Sequence, residues 1–205
     1  MPGKNIIKQY VAESYYHIYS RGVNKLPTFL SEDDYTVFVS LFKRYLSVDN
    51  PKNLSRHKYP NYHNQLELLA YALMPNHLHL FVYQSHEFAI REFMRSLLTS
   101  YSMYFNKTYK RVGPVFQSRY RASRITDDAY LQHISRYIHL NPRDWQSSNK
   151  TSLDFYTGKR QADWAMPDRI LELFDGRQDY LNFVKDYEGQ KQILDELKWE
   201  LANPD

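Results

Sequence analysis

The apolar residues change period partway through the chain, and that change limits the folds available. Leu66, Leu68, Ala70 and Ala72 alternate with other residues over positions 65–73, and alternation resumes over 78–83. A period of two sets successive side chains on opposite faces of a strand. Met74, Pro75 and Asn76 separate the two segments, which are therefore expected to pair as an antiparallel hairpin. From 88 to 105 the period becomes helical, with Ile90, Phe93, Met94, Leu97, Leu98, Tyr101 and Phe105 on one stripe. A hairpin that runs into an amphipathic helix needs a common layer in which both bury their apolar sides.

The flanking sequence extends this pattern in both directions. Residues 14–21, SYYHIYSR, are aromatic and β-branched, stop at Gly22 and read as a first strand. Ser31, Glu32, Asp33 and Asp34 open a helix: the serine caps it and the acids complement the positive end of its dipole. Phe38, Leu41, Phe42, Tyr45 and Leu46 carry the helical spacing onward, and 49–64 reads as an exposed loop. Gly113-Pro114 breaks the long helix, and 115–125 is expected to be extended. Thr126-Asp127-Asp128 caps a further helix bearing Tyr130, Leu131, Ile134, Tyr137 and Ile138; Pro142 stops it by disfavouring helical geometry at Asn141. Weak amphipathic helices are expected near 167–174, 178–186 and 190–201. The order β-α-β-β-α-β-α predicts an α+β protein, a ferredoxin-like antiparallel sheet with helices on one face plus a C-terminal helical extension. The expected division is 1–145 for the main domain and 146–205 for an acidic helical extension.

Composition narrows the partners. The 205 residues suffice for one ordinary domain with an appendage, and 42% apolar with 24% charged residues is the balance of a soluble globular chain. No apolar run approaches the ~20 residues of a spanning helix. The start MPGKNIIKQY lacks the pattern of a signal peptide, so no membrane partner is expected. Zero cysteines exclude disulfides and thiolate zinc sites and fit a cytoplasmic protein. The net charge of +4 divides unevenly: residues 1–150 hold 20 Lys and Arg against 11 Asp and Glu, whereas 151–205 hold 7 against 12. A basic body with an acidic tail points to a polyanion partner for the body, although uneven surface charge alone gives the same count.

Three local constellations carry chemistry. In MPNHLHLFV, His77 and His79 share a strand face opposite Leu78, Leu80 and Val82. Two imidazoles ~6–7 Å apart along a strand can converge on one metal ion; the spacing also suits two partly exposed histidines on a polar face. In RYIHLNP, Tyr137 and Asn141 stand four residues apart on one helix face, with His133 a turn earlier. A phenol of pKa ~10 is a poor nucleophile until a nearby cation or metal activates it. Asn141 can add a carbonyl oxygen, and two histidines with an amide oxygen suit magnesium or manganese better than structural zinc. Simple packing is the other fate open to Tyr137, in a chain with 19 tyrosines. From 101 to 125 there is no acid; Lys107, Lys110, Arg111, Arg119, Arg121 and Arg124 alternate with Tyr101, Tyr104, Phe105, Tyr109, Phe116 and Tyr120. Cations neutralise phosphates and rings stack on unpaired bases, which is the combination single-stranded nucleic acid requires.

Together these features resemble the single-tyrosine HUH transposases, and among them the group typified by REP-associated tyrosine transposases. The phrases YHIYSRGVNK, MPNHLHLFV, GPVFQSRYRAS and RYIHLNP occur in the family's order and span roughly residues 15–142. The resemblance implies a nuclease and strand transferase acting on single-stranded DNA that folds into hairpins, with a divalent ion, Mg or Mn, as cofactor. It implies that His77 and His79 bind the metal and that Asn141 completes the site. Tyr137 would be the nucleophile that retains a 5′-phosphotyrosine while a 3′-hydroxyl leaves. The mobile-element branch usually has glutamine at the position of Asn141; asparagine is one methylene shorter. Arg21 joins the six cations above as a candidate DNA contact, with Arg21, Arg119 and Arg121 foremost for phosphates. The alternative is a non-catalytic hairpin-binding regulator derived from a transposase. Monomer and homodimer both stay open, and the acidic tail is left to pack on the sheet or to screen the active site.

Overall fold

The computed structural model describes residues 10–49, 59–117 and 119–186. Strands β1 (Ser14–Arg21), β2 (Leu66–Met74), β3 (His77–Gln84) and β4 (Arg121–Ile125) form one sheet in the order β2-β3-β1-β4, and every neighbouring pair is antiparallel. Helix α1 (Glu32–Leu46) connects β1 to β2, and α2 (Ala89–Thr108) connects β3 to β4. This is the split β-α-β frame of the ferredoxin-like α+β fold, as the sequence predicts. The helix expected over 190–201 lies outside the described residues.

One face of the sheet is a closed apolar layer. Tyr16 and Ile18 of β1 and Leu78, Leu80 and Val82 of β3 pack against Phe38 and Phe42 of α1 and Phe93, Leu97 and Tyr101 of α2. Asp34 belongs to this layer as well as to the helix start. Its buried carboxylate accepts the Leu30 and Ser31 backbone N–H groups at 2.7 and 3.1 Å and the Tyr109 and Tyr104 hydroxyls at 2.8 and 3.0 Å. A buried carboxylate so fully bonded ties the start of α1 to the end of α2.

The other face departs from the expectation that helices lie on one side. Helix α3 (Asp128–His139) crosses it, followed by α4 (Leu153–Tyr156), α5 (Asp168–Leu171) and α6 (Arg177–Lys185). The cause is a bulge in β2 between Leu68 and Ala70. One extra residue reverses the alternation. Leu66 and Leu68 therefore face the α1–α2 layer together with Tyr71 and Leu73, while Leu69, Ala70 and Ala72 face the other way. The second face thus gains apolar surface beside Phe81, and Leu131, Ile134 and Ile138 of α3 cover it. The unbroken alternation read from Leu66 to Ala72 is corrected accordingly.

The acidic tail, as far as it is described, packs on the sheet. The outer edge of β2 would expose backbone groups, a surface prone to pairing with other chains. Segment 150–166 takes these groups: Leu73 donates to the Lys150 carbonyl at 2.9 Å, Ser152 to that of Tyr71 at 3.0 Å and Met166 to that of Leu68 at 2.9 Å. Among the described residues, no helix is long and apolar enough to cross a membrane.

Candidate active site

On the second face, beyond the patch covered by α3, the strands present polar side chains. The β1–β3 register places Tyr19 opposite His79 and Arg21 opposite His77. Directly opposed residues share a face, so His17, Tyr19 and Arg21 line up with His77 and His79. The Tyr19 ring lies 5.7 Å from His77 and 5.0 Å from His79, and the Arg21 guanidinium stands 5.3 Å from the Tyr19 ring. The histidine rings of His77 and His79 are 5.2 Å apart and perpendicular.

The segment after β1 fixes the position of the turn that begins β3. The Gly22 N–H donates to the Asn76 carbonyl at 2.8 Å, and Thr28 and Phe29 donate to that of Pro75 at 2.8 and 3.1 Å. A Cβ at Gly22 would run into the Leu26 carbonyl oxygen, so the close approach needs glycine. Asn76 Nδ2 donates to the Lys25 carbonyl at 3.0 Å, leaving Asn76 Oδ1 to meet His77 Nδ1 at 2.7 Å. That bond makes Nδ1 of His77 the protonated nitrogen.

Helix α3 starts with Asp127, whose side chain accepts the Tyr130 N–H at 3.1 Å. Its apolar stripe fixes its rotation and brings Tyr137 to the histidines, with ring centroids 5.3 Å from His79 and 6.1 Å from His17, both edge-on. Asn141, past the helix end, donates from Nδ2 to the Tyr137 carbonyl at 3.0 Å, and its side chain contacts both the His77 ring and the Tyr137 hydroxyl. The four residues expected to form the site, His77, His79, Tyr137 and Asn141, are therefore neighbours. His133 is not among them: its Nδ1 accepts from Arg136 at 2.9 Å and its ring lies against Phe183.

Burial sets the protonation states. It lowers His77 to about 4, assisted by the Arg21 charge, and lowers His79 well below the usual histidine value, with His17, His77 and Arg21 adding to the effect. Both imidazoles are therefore neutral at pH 7 and keep a lone pair to give. Burial also pushes the Tyr137 phenol up, opposed by the Asn141 hydrogen bond and the Arg21 charge. His79 Nε2 has no hydrogen bond among the described residues, since its ring bonds through Nδ1 to His17 Nε2 at 2.8 Å. No group of three His, Cys, Asp or Glu side chains among the described residues is arranged to hold a metal. A cation here would need Asn141 or a substrate oxygen beside the two histidines, a donor set that fits a hard divalent ion.

The cations separate into two sets. In β4, Arg121 pairs with Tyr19 and so shares the face of the histidines, whereas Arg124 pairs with Tyr16 on the opposite face; both are exposed. Exposed Arg119 precedes β4, and the 115–117 segment runs beside β1, where Gln117 N–H donates to the Arg21 carbonyl at 2.8 Å. Among the described residues of the expected extended stretch, 121–125 form a strand and Phe116 an isolated bridge to Gly22. Lys107, Lys110 and Arg111 lie at the far end of α2, in the other layer, with Arg111 over the Phe105 ring. Of the interleaved rings, the three that lie in the core are not free to stack on bases, and the other three are half-buried with their hydroxyls engaged. Tyr101, Phe105 and Phe116 are buried in the core, Tyr104 and Tyr109 are held by Asp34, and Tyr120 accepts a hydrogen bond from the Tyr10 hydroxyl at 2.9 Å. The helical stripe of α2 explains this correction, since Tyr101 and Phe105 belong to the face that covers the sheet.

Sequence reasoning passed over His17, Tyr19 and Asn76. Tyr15, His17, Tyr19 and Arg21 recur at period two, a polar and aromatic face in an otherwise apolar strand. That signal marks a face, and only the strand order shows that the face adjoins the histidine pair.

The family model described as "Transposase IS200 like" matches residues 54–141, a stretch that contains the histidine pair, Tyr137 and Asn141. Over that segment the chain is similar to the IS200-like transposases, the single-tyrosine HUH group. Members of that family bind DNA, act in transposition and are typically metal-dependent nucleases. Among solved structures, the chain is similar to a REP-associated tyrosine transposase bound to a REP hairpin, at 14% identity and a TM-score of 0.52, over 80% of this chain and 92% of that one. That likeness is one of fold. A candidate transposase from Deinococcus radiodurans is also similar, at 15% identity and a TM-score of 0.40, over 68% of this chain and 96% of that one. No curated protein sequence matches.

Proposed function

We propose that the protein is a metal-dependent single-stranded DNA endonuclease and strand transferase with Tyr137 as nucleophile, acting on DNA that contains hairpins. The observation that carries the reading is the meeting of Tyr137 and Asn141, from α3 and its end, with the His77–His79 pair of β3. His77, His79 and Asn141 would hold Mg²⁺ or Mn²⁺. When bound, the ion supplies Lewis-acid polarisation of the scissile phosphate and stabilises charge on the pentacoordinate transition state.

The chain's own residues do the rest. The Tyr137 Oη attacks phosphorus, a Tyr–O–P bond forms, the P–O3′ bond breaks, and the phenol proton is lost as the departing 3′-oxygen gains one. Arg21 supplies positive charge that favours the phenolate and neutralises phosphate, on the same face as Arg121. The phosphotyrosine retains the energy of the phosphodiester, so a 3′-hydroxyl can later attack it, reseal a strand and release Tyr137.

The test uses labelled hairpin single strands, Mn²⁺ and a denaturing gel. The native protein forms a covalent adduct; Tyr137→Phe binds the same DNA and forms none. An adduct in Tyr137→Phe overturns the nucleophile, and an adduct of unchanged yield in EDTA overturns the metal. Binding by the native protein with no adduct under any divalent ion favours the regulator instead.

A further inference from the structure

His17 is a buried histidine within the phrase YHIYSRGVNK, and neither the resemblance nor the reaction above gives it a role. It sits in the middle of β1, opposite Phe81 on one side and Ser123 on the other, and only 2% of it is exposed. Its ring is stacked on that of His79 with centroids 5.1 Å apart, and its Nε2 meets His79 Nδ1 at 2.8 Å. An aromatic hydrocarbon would fill this place without placing polar nitrogens in the interior, so the bond to His79 is the reason an imidazole is useful here.

We infer that His17 is a positioning residue that sets the ring orientation and tautomer of His79, holding its proton on Nδ1 and its lone pair on Nε2. The inference rests on the reading of His77 and His79 as metal ligands. Two neutral imidazoles joined by one hydrogen bond share a single proton between the facing nitrogens. If His17 Nε2 donated it, His79 would carry its proton on Nε2 and have no lone pair for an ion. If His79 Nδ1 donates, His17 accepts and His79 Nε2 is free, as its lack of a hydrogen bond among the described residues allows. His77 follows the same rule through a different partner: its Nδ1 is committed to Asn76 Oδ1 at 2.7 Å. Each histidine therefore has Nδ1 fixed by a dedicated acceptor, the arrangement that orients metal-binding imidazoles generally.

The substitutions separate this role from packing. His17→Phe keeps a ring and removes the acceptor; His17→Gln restores an acceptor near the position of Nε2. Long-range ¹H–¹⁵N imidazole spectra of the metal-free protein should show His79 as the Nδ1–H tautomer in the native protein and a mixture in His17→Phe. Mn²⁺ affinity, by calorimetry on the full chain, should fall about 10- to 100-fold in His17→Phe and recover to within a few-fold in His17→Gln. Hairpin binding in EDTA should stay unchanged in both. An Nε2–H tautomer for His79 in the native protein overturns the inference, even if His17→Phe fails to fold. Equal Mn²⁺ affinity in native protein and His17→Phe overturns it as well. Failure of the underlying reading looks different: the native protein itself then binds no Mn²⁺, or His79→Ala binds it equally well.

Discussion

Two buried histidines meet different fates at the two ends of one helical layer. His139, in the last turn of α3, has both nitrogens engaged by hydroxyls: Nδ1 with Tyr180 at 2.6 Å and Nε2 with Ser152 at 2.8 Å. Ser152 is bonded in turn to the backbone of Tyr71 in β2, and Tyr180 donates to Ser135. The Tyr156 ring closes the cluster at 4.6 Å. His79 engages one nitrogen, with His17, and leaves the other without a protein partner among the described residues. Burial alone therefore does not distinguish a histidine with both nitrogens bonded from one that keeps a nitrogen open. The distinction lies in whether the second nitrogen is occupied, and that is decided by neighbours from other strands and helices.

This contrast implies opposite responses to the same substitution. Asparagine keeps a polar atom near Nδ1 and deletes Nε2. In His79→Asn the bond to His17 can persist while the free nitrogen is lost, and adduct formation should fall about 10³-fold, the several kcal/mol attributed to Lewis-acid catalysis. Urea unfolding should shift by less than about 1 kcal/mol. In His139→Asn the Ser152 hydroxyl loses its imidazole partner in a buried site and keeps only the Tyr71 backbone, which should cost about 1–3 kcal/mol of stability. Its adduct yield per folded molecule should stay within a few-fold. A stable His139→Asn that has lost its adduct would break the contrast, because it would show that His139 serves the reaction.

The frame and the two pairs, His77 with His79 and Tyr137 with Asn141, were legible in the sequence because each depends on local spacing, whereas the expectation that the pairs share a site came from the family resemblance. Alternation set His77 and His79 on one face, and a four-residue interval joined Tyr137 to Asn141. The bulge at Leu68/Ala70 left no local mark, since leucine and alanine suit either side of it. The burial of Tyr101, Phe105 and Phe116 was hidden for a related reason: composition reports rings and charges together, whereas the helical period and the packing decide which rings are buried. His17 and Tyr19 needed the strand order, and the hydroxyls around His139 come from as far along the chain as Tyr180. Such contacts are tertiary and have no spacing to betray them.

Acid should probe both histidine clusters. Burial lowers His17 and His139 to about 3 from the ordinary 6.5. Below pH 6.5 the unfolded chain takes up protons on these groups that the folded chain refuses, so stability falls as pH falls, down to about pH 3. Each such histidine contributes a slope approaching about 1.4 kcal/mol per pH unit. Urea unfolding of the native protein and His139→Asn between pH 6 and 5 should differ in slope by roughly this amount. Parallel pH profiles would mean that His139 is not held neutral in the fold.

The smallest effect tests whether the reactive side of the molecule is also the DNA side. Arg121 and Arg124 are exposed cations of the same short strand, three residues apart, yet the register turns them to opposite faces. If DNA lies across the histidine face, Arg121→Ala should weaken hairpin binding several-fold and lower the salt slope by about 1, the signature of one lost phosphate contact. Arg124→Ala removes the same charge at nearly the same distance along the strand and should change neither the salt slope nor, beyond about twofold, the affinity. The pair thus separates a contact from a general loss of positive potential, because the net charge of the two variants is identical. Equal weakening by both would place the DNA around the β4 edge and leave the histidine face without a private claim on it.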